Sequence, residues 1–378
     1  MEVAIKQARE ALAENDSKKA ISFLRPYEKE LEGQNPNVQL LQAFADVYLE
    51  DGQLDKAYPH LVRSCEVDPQ GLQTGSDPFF TLGQVVGGAD GIQLISKGIE
   101  NVSTAAGENL NGEQVVKIVN GLLSMIEIWM TDLCMEPEAE SQCEELINKA
   151  LEISDNQSAE ALSTLGSIRI SQQRFSEACE AFTKSWELFE KRKQAISNNN
   201  DSPDDYITGE LAELLQPLLN LAKMCIEVGL YEVTLKVVGG IRDIDEDNLE
   251  GYYLEGFAHY MIAKIGTFQQ KNPTMELKPE TIFEFNQHIQ EIELNLEDEM
   301  INEIIQEARI ALTFTVKIGE SSDASDEVVQ ELISGAKTVL AEIGGEVDPK
   351  ILMKIKKGEA LDDIDANLDD LESDEEIS

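Results

Sequence analysis

Apolar residues recur at intervals of three and four along most of this chain, the spacing that lines up one face of an α-helix. The clearest run is Ala159 to Arg192. Leu162, Leu165 and Gly166 share one face of a first helix, and Ala178 and Phe182 one face of a second. Gly166 and Ala178 are small where two antiparallel helices approach closely; Leu162, Leu165 and Phe182 fill the space between them. Gln172, Gln173 and Arg174 form a polar turn, and Ser176-Glu177 opens the second helix.

The same pattern stands upstream at Val38 to Gly71. Leu41, Phe44, Ala45 and Tyr48 mark its first helix, Gly52 its turn, Ala57 and Leu61 its second helix and Pro69 its end. Leu215 to Asn248 is in register too, through Leu218, Leu221, Ala222, Gly229 and Val238. A helix-turn-helix unit of about 34 residues with L-x-x-L-G followed by A-x-x-x-F is the tetratricopeptide signature. The spacing therefore predicts an all-α, right-handed tetratricopeptide-repeat superhelix, with about seven helical pairs and a C-terminal capping helix.

The remaining stretches fit this ruler with exceptions. Met1 to Asn35 reads as a terminal pair that turns at Asn15-Asp16. Ser76 to Val102 starts well at Phe79, Leu82 and Gly83, after which Gly87 to Gly91 predicts a loose turn before a short helix of Ile92, Leu94, Ile95 and Ile99. Gln114 to Met130 predicts a long buried helix, Asp132 to Glu140 a polar connection, and Cys143, Leu146, Ile147 and Ala150 a second helix. Lys193 to Asp205 predicts an exposed loop. Tyr252, Tyr253, Gly256 and Tyr260 start a last pair whose partner, Glu299 to Thr313, is delayed by an insertion at 266–300 with a helix over Thr281 to Ile292. Asp326 to Ile343 predicts the cap. The repeat array spans 1–345 and an acidic, disordered tail 346–378, where Leu361, Ile364, Leu368 and Leu371 permit a helix on a basic partner.

Charge narrows the partners. Asp and Glu number 73 against 30 Lys and Arg, a formal net charge of -43. Such a surface repels nucleic acid and anionic membranes and attracts basic proteins. No apolar run approaches the roughly 20 residues that span a bilayer. The Met1 to Lys6 start is acidic and amphipathic, unlike a secretion signal. The five cysteines are scattered, lack a C-x-x-C pair and read as reduced core residues of an intracellular protein. Three separated histidines give no metal site, and no cofactor is expected. Nucleotide-loop, serine-hydrolase and zinc-protease motifs are absent, so an enzyme is not expected. Lys350, Lys354, Lys356 and Lys357 read equally as an import signal or as the last turns of a helix.

In such a superhelix the first helices of the pairs line a concave groove. The second, fifth, ninth, twelfth and thirteenth positions face it. They are Gln39, Gln42, Asp46, Leu49 and Glu50; Glu160, Ser163, Ser167, Ile170 and Ser171; and Gln216, Leu219, Lys223, Ile226 and Glu227. Lys223 is the only cation among them, so the groove suits a basic ligand rather than an acidic tail. Trp129, with Glu127, Asp132, Glu136, Glu138 and Glu140 around it, offers cation-π and charge-assisted contacts to Lys and Arg. The candidate partner-binding residues are Asp46, Glu50, Glu127, Trp129, Asp132, Glu136, Glu138, Glu160, Glu227 and Tyr253.

The run MIEIWMTDLCMEPEAE at Met125 to Glu140, the Cys143 to Ile147 helix and the run LSTLGSIRISQ at Leu162 to Gln172 resemble fungal assembly chaperones dedicated to the fourth large-subunit ribosomal protein. The resemblance implies a monomeric, non-enzymatic chaperone. It would capture that newly made protein, shield its basic internal loop and escort it to nuclear pre-ribosomes, meeting import machinery through the client. The same scaffold also suits a general acidic escort for histones or several ribosomal proteins.

Overall fold

The computed structural model describes residues 1–357 apart from 14–15, 34–35, 108, 200–203, 274–276 and 323–325. The expected tail helix at Leu361 to Leu371, the acidic run after 358, the centre of the 193–205 loop and Asn15 lie outside the described residues. Regular structure among the described residues is helical throughout. It forms two compact units, Met1–Thr164 and the chain from Leu165 onward.

The first unit stacks antiparallel pairs: α1 (Glu2–Ala13) with α2 (Ser17–Leu24), α3 (Val38–Glu50) with α4 (Leu54–Val67), α5 (Asp77–Val86) with α6 (Gly88–Ala106), and α7 (Gly112–Met130) with α8 (Ala139–Ile153). Local chemistry starts several of them. Asp16 accepts the Lys19 N–H at 2.8 Å and Asn37 the Leu40 N–H at 2.9 Å. Asn111 and Gln114 each bond the other's backbone N–H, a capping box that satisfies two otherwise orphaned donors. Ala20, Leu24, Leu40 and Phe44 form one part of the core, and Leu61, Phe79 and Leu82 another.

One expectation in this unit fails. Gly87 to Gly91 is not a loose turn; α6 starts at Gly88, directly after Gly87 with φ 65°, and runs unbroken for 19 residues. Glycine is needed here for close approach. A Cβ on Gly91 would collide with the Gly83 carbonyl of α5, so the glycines let two helix backbones touch. Their local helix penalty, about 1 kcal/mol each, is outweighed by that packing.

α9 (Ala159–Ser171) carries the boundary between the units. The second unit continues with α10 (Phe175–Ser197), α11 (Asp204–Ala212), α12 (Leu215–Glu227), α13 (Tyr231–Ile244), α14 (Leu249–Lys271), α15 (Ile282–His288), α16 (Glu299–Ser321), α17 (Glu327–Glu342) and α18 (Pro349–Lys356). Gly166 lies against the Phe182 ring, and a Cβ there would overlap it. This is the small-against-large contact that the repeat pattern requires.

Three elements run longer than their sequence pattern. α10 extends into the expected 193–205 loop because Lys193 is buried, its Nζ 2.6 Å from Asp243 and 3.0 Å from Glu190. α14 continues past Gly266 to Lys271 and pairs with α16, which itself reaches Ser321. Within the insertion, Ile282 and Phe285 of α15 are buried, and Phe285 meets Phe268 edge-on at 5.4 Å. α17 occupies the span expected for the cap. α18, at the start of the segment assigned to the tail, buries Leu352 near Ile310 and Val347, and Lys356 pairs with Asp247 at 2.7 Å.

Candidate functional site

The first unit holds a polar cleft of about 460 Å³ lined by Arg9, Gln39, Gln42, Asp46, Gln73, Thr74 and Asp77. Its walls are α1, α3, the loop after α4 and the start of α5. The loop is set by Asp68, which is buried and accepts the backbone N–H groups of Leu72 at 2.9 Å, Gln73 at 2.7 Å and Thr74 at 3.3 Å. Asn101 of α6 holds the adjacent Pro69 carbonyl at 3.2 Å. Gln73 and Thr74 therefore reach the cleft by a fixed backbone. The Asp68-Pro69-Gln70-Gly71 turn signal was legible in the sequence, but the cleft behind it was not.

Asp46, at a groove position of α3, sits half-buried in this cleft with no hydrogen bond or ion pair of its own among the described residues. Burial pushes its carboxyl up to about 6, with Arg9 opposing the shift and Asp77 adding to it. Asp77 is compensated by Lys117 at 3.1 Å. Glu50, at the end of α3, is exposed.

The Trp129 segment divides into two kinds of residue. Glu127 on α7, and Glu136 and Glu138 in the connection, are exposed. Asp132 is exposed as well, yet it accepts the Gly88 N–H at 2.8 Å and so closes the start of α6 from 44 residues away. Trp129 is half-buried, and its Nε1 is shielded without a hydrogen-bond partner among the described residues. Cys134 and Met135 in the same connection are exposed, Met135 to 92%, so Cys134 departs from the expectation of core cysteines. Cys65, Cys143, Cys179 and Cys225 are buried, and burial pushes the Cys65 and Cys225 thiols up to about 12.

Glu160 is half-buried and accepts from the Ser158 hydroxyl at 3.1 Å. In the second unit, Glu227 is exposed at the end of α12, and Lys223 pairs with Glu250 at 2.8 Å. The one cation among the fifteen groove positions is thus neutralised. Tyr253 is partly buried, stacks on Phe257 and faces Gly335 of α17 so closely that a Cβ there would lie 2.8 Å from its hydroxyl. The capping helix takes up this groove position of α14, and burial raises the hydroxyl's pKa.

The candidate residues are distributed over several elements. Asp46 and Glu50 share α3; Glu127, Trp129, Asp132, Glu136 and Glu138 share α7 and its following connection; Glu227 and Tyr253 belong to the second unit.

Residues 247–369 match the family model of the ACL4 C-terminal domain. Over 194 residues the chain is 31% identical to a probable assembly chaperone of rpl4 from Schizosaccharomyces pombe, an alignment covering 50% of this chain and 53% of that one. Over 233 residues it is 29% identical to a probable assembly chaperone of rpl4 from Emericella nidulans, covering 60% and 55%. The chain thus spans about half the length of the curated relatives it matches. A solved assembly chaperone of RpL4, Acl4 residues 1-338, superposes with a TM-score of 0.53 at 24% identity over 70% of this chain and 96% of that one. That likeness shows the fold, an all-α tetratricopeptide-type array.

Proposed function

We propose that this chain, similar to fungal ACL4 proteins, is a non-enzymatic chaperone for rpl4, the fourth protein of the large ribosomal subunit. The observation that carries the reading is the charge of the fifteen groove positions: four carboxylates, Asp46, Glu50, Glu160 and Glu227, against one cation, Lys223, which is already paired with Glu250. A ribosomal protein made to bind RNA exposes Lys and Arg before rRNA is at hand. Carboxylates occupy those cations through charge-assisted hydrogen bonds and keep the client soluble. In this reading one chaperone shields the client's basic internal loop and accompanies it, through import machinery bound to the client, from cytoplasm to nuclear pre-ribosomes. Release is a competition that rRNA wins by its denser negative charge.

The test is a pulldown from cell lysate read by mass spectrometry, comparing wild type with a Glu127→Lys, Glu136→Lys, Glu138→Lys variant. Asp132 is left intact because it caps α6. The reading expects one large-subunit ribosomal protein to dominate with wild type and to fall sharply with the variant. Equal recovery of many basic proteins, histones among them, supports a general escort instead. A variant that loses nothing removes the Trp129 segment from the binding surface.

A further inference from the structure

We propose that the cleft between α1, α3 and the start of α5 is a subsite for one arginine or lysine side chain of an extended basic polypeptide. Asp46 takes its charge, and Gln39, Gln42 and Gln73 bond its main chain. This rests on the reading of the chain as a holder of a basic protein, and it names where one cation of that protein is held.

The cleft's volume, about 460 Å³, falls in the range of roughly 300 to 1,000 Å³ typical of ligand sites. None of its seven lining residues is apolar, so it does not suit a hydrophobic anchor. Three side-chain amides stand in it, each carrying both donors and an acceptor, which is what a peptide backbone asks for.

The charges decide the ligand's sign. Asp77 is compensated by Lys117 of α7, and Arg9 stands exposed at the cleft wall with no ion pair among the described residues. Of the two carboxylates in the cleft, Asp46 is left half-buried with no contact partner among the described residues. Keeping such a group without compensation costs stability, and groups of this kind concentrate where ligands bind. A phosphate or an acidic peptide would meet Asp46 as a like charge. A guanidinium or ammonium group would supply the missing hydrogen bonds. The groups facing Asp46 are Arg9 from α1 and Asp77 from α5, with Lys117 behind Asp77. Arg9 is thus a competitor for the incoming cation.

The experiment measures fluorescence anisotropy of a labelled alternating Gly-Arg dodecapeptide, with a Gly-Glu peptide as control, on the full chain and its Asp46→Asn and Arg9→Ala variants. Recombinant rpl4 is titrated in parallel. Asp46→Asn is expected to weaken Gly-Arg binding about tenfold, the loss of one charge-assisted contact. Arg9→Ala is expected to tighten it a few-fold, which a merely structural role for the cleft would not produce. Between about pH 7.5 and about pH 5.5 wild type should lose more affinity than Asp46→Asn, because only wild type protonates its receptor. Equal binding by wild type and Asp46→Asn, or equal losses from both variants, overturns the subsite. If wild type binds rpl4 while Asp46→Asn leaves peptide binding unchanged, the subsite falls and the chaperone reading stands. If the peptide binds in an Asp46-dependent way but rpl4 does not, the chaperone reading falls and the subsite stands.

Discussion

Lys264 and Glu342, 78 residues apart in the chain, meet as an ion pair in the C-terminal unit, the lysine only 1% exposed. The ammonium also donates to the Ile292 carbonyl at 2.5 Å, and the Tyr260 hydroxyl donates to Glu342 at 2.7 Å. One buried cation thereby ties α14 to the end of the insertion and to the capping helix. Burial, the largest cause, and the neighbouring Glu342 both push the Tyr260 hydroxyl's pKa upward.

The two halves of this pair should not be equivalent. Glu342→Ala strands an ammonium in the core and is expected to cost about 3 kcal/mol. Lys264→Met removes the charge, keeps the volume and leaves Glu342, which is half-exposed, to water; about 1 to 2 kcal/mol is expected, chiefly from the orphaned Ile292 carbonyl. Urea unfolding read at both variants checks the order, and the reverse order would mean that the pair does not hold the cap.

Gly91→Ala is expected to destabilise the first unit by about 2 kcal/mol, since its methyl group meets the fixed Gly83 backbone. Gly33→Ala serves as the control because no described residue lies within 4 Å of its Cβ position. Thermal melts should show a clear drop for the first and almost none for the second.

Asp132→Ala should behave differently from its acidic neighbours. It removes the acceptor for the Gly88 N–H and is expected to cost about 1 kcal/mol, as losing an N-cap does. Glu136→Ala, at an exposed position, should leave the melting temperature unchanged. Denaturation curves of the two single variants separate capping from surface charge.

Asp46→Asn is expected to raise stability at neutral pH while weakening cation binding. The folded-state pKa of Asp46 is raised to about 6, above its ordinary 3.8, so the folded protein binds more protons between those values and loses stability as pH rises through them. The stabilisation by Asn should therefore be full above about pH 6 and vanish below about pH 4. Melting temperatures across that range decide it; a gain that persists at low pH would point to a cause other than ionisation.

Part of the candidate site was readable before any tertiary structure. The three- and four-residue spacing along α3 placed Asp46 on one face with Gln39 and Gln42, and the polar run after α7 placed Glu136 and Glu138 outside. Tyr253 and Asp132 shared the same sequence cues but serve contacts with Gly335 and Gly88, which lie 82 and 44 positions away. Neither partner leaves a trace in local spacing.

The helical periodicity, the small-against-large contact of Gly166 with Phe182, the repeat register and the acidic balance were set by the sequence itself, because helix formation and repeat stacking depend on neighbours a few residues apart. The tertiary structure decided where that logic is overridden. Burial and pairing with Asp243 carried Lys193 into α10 instead of a loop, close backbone contact turned a glycine-rich stretch into α6, and the Lys264–Glu342 pair tied the insertion to the cap. Each of these rests on a contact between residues of different helices, whose free energy exists only once the helices are packed.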